Sequence, residues 1–248
     1  MLVEFTITSD LLSKPRAVWV QQPLSGQALD CLILLDGEMY RDRVMAPAII
    51  LEEQESGRIP LLTCVHLSLV DTATRHADLA CNETFSQFLS TDLIDWIEQT
   101  VGAHERYFIG GLSLGGLAAA FTALRHPGVF SGALCQSPSA WWNDEWLSGF
   151  VGDSGSSQER FWISVGDKEI QKGIAHPPSG MLQKVGQVES VRRLVAALTK
   201  AGHDVWSSEF HGGHDPVCWG AELPEAISWL MTDREIYFAS LSAAPLAK

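Results

Sequence analysis

Gly111-Leu112-Ser113-Leu114-Gly115, with Gly116 behind it, is where residue types and spacing in this chain best suit covalent chemistry. The apolar run Tyr107-Phe108-Ile109 ends just before it, and the amphipathic stretch Leu114–His126 opens inside it. A serine at such a strand-to-helix junction sits on a sharp turn at an unfavourable backbone angle. Flanking glycines let strand and helix close on each other, and the Oγ is lifted clear of the sheet at a helix N-terminus. The bare pattern arises by chance in about one chain in ten of this length. The strand before it and the helix after it make it specific. The plainer alternative is a glycine-rich turn whose serine caps the helix.

A serine hydroxyl needs a base, and the base needs an orienting acid. Five histidines follow Ser113: His126, His176, His203, His211 and His214. His126 precedes a proline at a helix end and reads as a C-terminal cation. His203 follows a helix-ending glycine. His211-Gly212-Gly213-His214-Asp215 comes directly after the last apolar run, and its glycines let the loop bend back toward the serine. His214 is the expected base, with His211 as the alternative. The acid should leave the end of the preceding strand, where Gly166-Asp167-Lys168-Glu169 lies. Glu169 is the first choice and Asp167 the second, since side-chain length can compensate for a shift along the turn. The oxyanion formed by attack needs backbone N–H donors. Leu114, next to the serine, is one. The loop Leu34-Leu35-Asp36-Gly37-Glu38 offers Gly37 or Glu38 as the other; the alternative is an ordinary turn capping a strand.

Eight apolar, β-branched or aromatic runs must position these groups: 2–8, 17–21, 31–35, 61–69, 106–109, 132–135, 161–165 and 205–210. Several are continuous rather than alternating, which suits strands covered on both faces. Helical stripes lie between them: Phe85, Phe88, Leu89, Leu93 and Trp96; Leu117, Phe121 and Leu124; and Val188, Val191, Leu194, Val195 and Leu198, closed by Lys200-Ala201-Gly202. The first two strands precede any helix, so an antiparallel start is expected. The pattern predicts an α/β fold, a mostly parallel central sheet with helices on both faces, in one domain over residues 1–248. Ser148–Ser157 reads as a surface loop, Lys172–Gly186 as a mobile loop that could act as a lid, and the last dozen residues as a short helix or tail.

Composition narrows the partners. Seventeen Lys and Arg stand against thirty Asp and Glu, a net charge of −13. Nucleic acid and anionic membrane call for a basic footprint and are excluded as partners. No run approaches 18 apolar residues, so no membrane span is expected. The start MLVEFTITSD lacks the pattern of a signal peptide, which favours the cytoplasm. Five cysteines at irregular spacing, with no C-x-x-C pair, argue against a zinc site; Cys31, Cys64 and Cys135 read as core residues.

Five blocks, in order, resemble the α/β-hydrolase serine esterases that cleave enterochelin-type siderophores. They are Leu34–Glu38, Thr74–Asn82, Gly110–Gly116, Gln136-Ser137-Pro138-Ser139-Ala140-Trp141-Trp142, and Gly212–Asp215 with Cys218-Trp219. The resemblance implies Ser113 as nucleophile and His214 as base, with the acid near Glu169, where family members vary and some work as a Ser–His pair. It makes Arg75 a candidate contact for an anionic catecholate, with Trp141 and Trp142 walling the pocket. It implies no cofactor or metal, and a small-molecule ester as partner; iron would arrive with the substrate. Asp78 stands where the family favours Glu. Cys81 and Cys218 lie in matched blocks and would be neighbours near the site; a disulfide between them is left open, against the reducing cytoplasm. The same triad would serve an esterase of small acyl or sugar esters. A non-catalytic binding module on this fold should have lost the serine, the base or the oxyanion loop, and all three are present.

Overall fold

The computed structural model describes residues 2–151, 158–177, 179–233 and 237. Its main sheet has eight strands in the order β1-β2-β4-β3-β5-β6-β7-β10. These are β1 (Leu2–Ile7), β2 (Arg16–Gln21), β3 (Asp30–Leu34), β4 (Leu62–Leu67), β5 (Arg106–Leu112), β6 (Gly132–Gln136), β7 (Arg160–Gly166) and β10 (Asp204–Phe210), with β8 (Ile174–His176) and β9 (Met181–Gln183) forming a separate hairpin. β1 pairs with β2, and β2 with β4, antiparallel; the other neighbours in the main sheet run parallel. Each of the eight apolar runs is therefore a strand, and the antiparallel start is present.

The continuous runs have the cause expected of them. In β3, Cys31 and Ile33 enter one core while Leu32 and Leu34 enter the other, so both faces are covered. One layer contains α3 (Thr72–Leu79), α4 (Glu83–Ser90), α5 (Asp92–Thr100), α6 (Leu114–Arg125), α7 (Trp142–Phe150) and α8 (Gln187–Ala201). The other contains a π-helical turn (Tyr40–Val44) that continues the short α1 (Gly37–Met39), followed by α2 (Ala46–Glu55) and α9 (Pro216–Met231). α6 is buried along its length from Leu114 to Leu124. Its run Ala118-Ala119-Ala120 lets it lie close to the sheet, and Phe121, 1% exposed, contributes on the order of 2–3 kcal/mol by burial. The fold is that of an α/β-hydrolase.

Three expectations need correction. The stripe from Phe85 to Trp96 is two helices, because Thr91 (φ −122°, ψ −82°) breaks the turn and Asn82 caps α4 by accepting the Phe85 N–H. Lys172–Gly186 holds the antiparallel hairpin β8–β9, with Ile174 opposite Gln183, where only a loop was expected. Residues 148–150 close α7, and the remainder of the expected loop, 152–157, lies outside the described residues, as does the C-terminal dozen apart from Tyr237.

Candidate active site

β5 delivers Ser113 onto its turn at φ 56°, ψ −120°, a conformation that costs a non-glycine residue on the order of 1–3 kcal/mol. Neighbouring backbone holds it there. The Ser113 N–H donates to the Gln136 carbonyl at 2.9 Å, and the Ser113 carbonyl accepts from Ser139 N–H at 2.9 Å and Leu117 N–H at 3.2 Å. A Cβ on Gly111 would fall 2.2 Å from the Gly115 carbonyl. Strand and helix approach too closely there for any other residue.

The expected acid and base come from the ends of β7 and β10, beyond β6 in the sheet. A Cβ on Gly166 would meet the carbonyl oxygens of Gly212 and Gly213 at 2.5 and 2.8 Å, so glycine lets the turn after β7 press against the loop after β10. Across that contact His214 Nδ1 meets Glu169 Oε2 at 2.6 Å. The other carboxylate oxygen, Oε1, accepts from Ser137 Oγ at 2.6 Å and from the Gly166 N–H at 2.8 Å. A carboxylate on Nδ1 keeps the proton there and leaves Nε2 as the basic nitrogen. The Trp219 ring packs perpendicular to the imidazole, with centroids 4.8 Å apart at 87°.

The second choices also pair with each other, but outside. His211 Nδ1 meets Asp167 Oδ2 at 2.9 Å, with Asp167 Oδ1 accepting the Gly212 N–H at 3.0 Å. The His211 hydrogen bond, together with that N–H, holds the Asp167 carboxyl below its ordinary range. The His211 side chain is 81% exposed and neither residue lines the cavity.

Ser113, Glu169 and His214 line one cavity of about 380 Å³, together with Ser139, Trp141, Lys168 and His176. Ser139 Oγ lies 3.4 Å from Ser113 Oγ. Among the described residues the direct Ser113–His214 hydrogen bond is not formed; such bonds commonly tighten only when substrate is bound. The Trp141 indole N–H is tied to Gln187 Oε1 at 2.6 Å, and its ring stacks on His176 at 4.8 Å and 10°. Trp142 does not line the cavity. It packs against the core and meets Trp146 edge-on, so the expected pair of wall residues reduces to Trp141.

The loop after β3 reaches the same edge. Asp36 stands in the left-handed region at φ 55° and leads into Gly37 and Glu38 at the start of α1. A Cβ on Gly37 would come within 2.9 Å of the Leu67 backbone, so this turn lies hard against the end of β4. The Glu38 carboxylate is occupied by Ser68 Oγ at 2.6 Å and the Leu69 N–H at 3.1 Å. Arg75, the expected substrate contact, is engaged elsewhere in the free protein. Its guanidinium clamps the buried Asp36 carboxylate at 2.7 and 2.5 Å and is not part of the cavity lining. Burial pushes the Asp36 carboxyl up and Arg75 pulls it back. The cation braces the loop; the sequence showed the charge but not the partner 39 residues earlier.

Ser137, Ser139 and Trp219 stand in the sequence only within matched blocks, and neither Lys168 nor His176 carries a local signal of a place at the cavity. The hairpin that presents His176 is too short to leave a periodic pattern. Cys81 and Cys218 are both free, which answers the open disulfide question; Cys31, Cys64 and Cys135 are free and buried. Among the described residues no group of three or more His, Cys, Asp or Glu is placed to hold a metal, and no helix is long and apolar enough to cross a membrane.

A serine on a strained elbow, a carboxylate–imidazole pair and an N–H-bearing loop at one sheet edge define the serine-hydrolase type of α/β-hydrolase site. The model of the putative esterase family matches residues 9–230, and the chain belongs to that family. It is 26% identical to the iron(III) enterobactin esterase of Dickeya dadantii over 252 residues, covering 94% of this chain and 55% of that protein. It is 24% identical to the iron(III) enterobactin esterase of Escherichia coli K12, covering 88% of this chain and 54% of that one. The chain thus spans about half the length of these relatives. Among solved structures, the enterobactin esterase of Shigella flexneri in the presence of enterobactin superposes with a TM-score of 0.80 at 22% identity, covering 93% of this chain and 58% of that one.

Proposed function

We propose that this chain is a serine ester hydrolase that opens the ester or lactone bonds of a catecholate siderophore of the enterobactin type, allowing iron release. The observation that carries the reading is the convergence of Ser113 with the buried-acid pair Glu169–His214 on one cavity. The substrate class is supported by the relatives, whose names place them on iron(III) enterobactin. In a chain of net charge −13, Lys168 gives an anionic substrate a local partner at the cavity.

Ser113 Oγ attacks the ester carbonyl carbon as its proton passes to His214 Nε2. The new oxyanion rests on the N–H groups of Leu114 and of Gly37 or Glu38. The tetrahedral species then collapses, the leaving alcohol takes the proton from His214, and an ester to Ser113 remains. Water repeats the sequence with His214 as base, which frees the acid and restores the serine. The Glu169 carboxylate holds the imidazolium through Nδ1. Trp141 walls the cavity.

The test is turnover against a panel of trilactone siderophores and simple esters, with product masses read directly. Stepwise opening of a trilactone to its linear acids, abolished in Ser113→Ala, supports the reading. Rapid cleavage of short p-nitrophenyl esters with the lactones left intact overturns the substrate and favours a small-ester esterase, for which a cavity of about 380 Å³ is ample. Failure of a fluorophosphonate probe to label Ser113 in folded protein overturns the hydrolase reading in favour of a binding module.

A further inference from the structure

The Glu169 carboxylate is backed by a buried chain of donors whose direction chemistry fixes. Trp219 Nε1 lies 3.1 Å from Ser137 Oγ, and an indole nitrogen can only donate. Ser137 Oγ therefore accepts from Trp219 and must turn its own proton toward Glu169 Oε1, 2.6 Å away. A carboxylate can only accept, so no other arrangement satisfies all three groups. From the opposite side His214 Nδ1–H donates to Oε2. Ser137 is fully buried and Trp219 is 2% exposed, so the bond between them is shielded from water.

Ser137 is also placed with care. Its backbone sits at φ 44°, a left-handed conformation that a serine adopts only when held. The holding groups are the Ser164 carbonyl, which accepts the Ser137 N–H at 2.8 Å, and the Gln187 amide, which donates to the Ser137 carbonyl. Trp219 does two jobs: its N–H orients the hydroxyl while its ring confines the imidazole.

We infer that Ser137 and Trp219 are positioning residues for the reaction, a one-way hydrogen-bond relay that locks the rotation of Glu169 and, through it, the ring of His214. The inference rests on the esterase reading and acts through Glu169 rather than on substrate. Removing one hydrogen bond to a charged group in a dry site lowers the rate of the step that uses it by about tenfold.

The experiment measures Ser137→Ala and Trp219→Phe on p-nitrophenyl butyrate, each alone and combined with Glu169→Ala. Ser137→Gly, at ease in the left-handed region, repeats the measurement should the alanine variant fail to fold. The expected result is a kcat about tenfold lower for Ser137→Ala and about threefold lower for Trp219→Phe, with KM unchanged. In the Glu169→Ala background Ser137→Ala should cost less than about twofold further, because the relay has lost its terminus. The downfield proton resonance of His214 Nδ1–H gives a readout independent of turnover: it should move or exchange faster in Ser137→Ala. A full rate together with an unmoved resonance overturns the relay, as does an undiminished tenfold loss in the Glu169→Ala background. Glu169→Ala at the wild-type rate would instead overturn the place of Glu169 in the reaction. Were the wild type to cleave no ester, the resonance alone would decide the relay.

Discussion

Two carboxylate–imidazole pairs leave the same two strand ends, two residues apart on one side and three on the other. Glu169–His214 and Asp167–His211 have similar bond lengths, 2.6 and 2.9 Å. Their surroundings differ. The Glu169 side chain is 6% exposed, with two further donors on its other oxygen, whereas Asp167 is 42% exposed. Solvent screens the outer pair, and an exposed ion pair of this kind contributes little. What separates the proposed catalytic pair from the surface contact is burial of the acid and the identity of its remaining partners, not the pairing itself.

The comparison can be broken most decisively at the bases. His214→Ala should lower kcat by about 10³-fold or more, while His211→Ala should stay within about twofold. Equal losses on a simple ester would erase the distinction. The acids give a smaller contrast: Glu169→Gln should cost about 10²- to 10⁴-fold through loss of the correct tautomer, and Asp167→Asn nothing measurable.

A third carboxyl sharpens the comparison by being partly buried with no basic partner among the described residues. Glu222 accepts from Ser164 Oγ at 2.6 Å and Gln136 Nε2 at 2.7 Å, and burial pushes its pKa up to about 7. Its folded pKa lies above the unfolded value, so its contribution is complete below about pH 4.5 and is lost as pH rises through 7. The loss is on the order of 3 kcal/mol. Glu222→Gln, which keeps the accepting oxygen, should remove that decline and raise the thermal midpoint at pH 8; an unchanged pH dependence of unfolding would contradict it. The smallest effect belongs to the outer pair. The Asp167 carboxyl is depressed, so its stabilisation is present above about pH 4 and fades as pH falls below that. Asp167→Asn should leave the denaturant midpoint nearly unmoved at neutral pH, and any change should shrink in salt.

Much of this was legible in the sequence because local pattern and global fold agree. Cys31–Leu35 reads as a strand covered on both faces since nothing in it alternates, and the glycines about Ser113 mark a backbone approach that no other residue permits. The choice between Glu169 and Asp167 was not legible: both follow the same strand, and only tertiary burial and the donors on the second carboxylate oxygen separate them. Arg75 carried a visible charge but met Asp36 through tertiary contact. The break at Thr91 lies within one continuous apolar stripe, and β8 and β9 are three residues each, below the length at which periodicity shows.

The groups proposed to act leave the sheet at the carboxyl ends of β3, β5, β6, β7 and β10, and among the described residues none of them lies on the opposite rim. The turns there, such as residues 101–105 before β5, are where this architecture can accept inserted segments or fused modules without disturbing turnover. Innovation on this scaffold has a free side and a constrained one, and the direction of the parallel strands decides which is which.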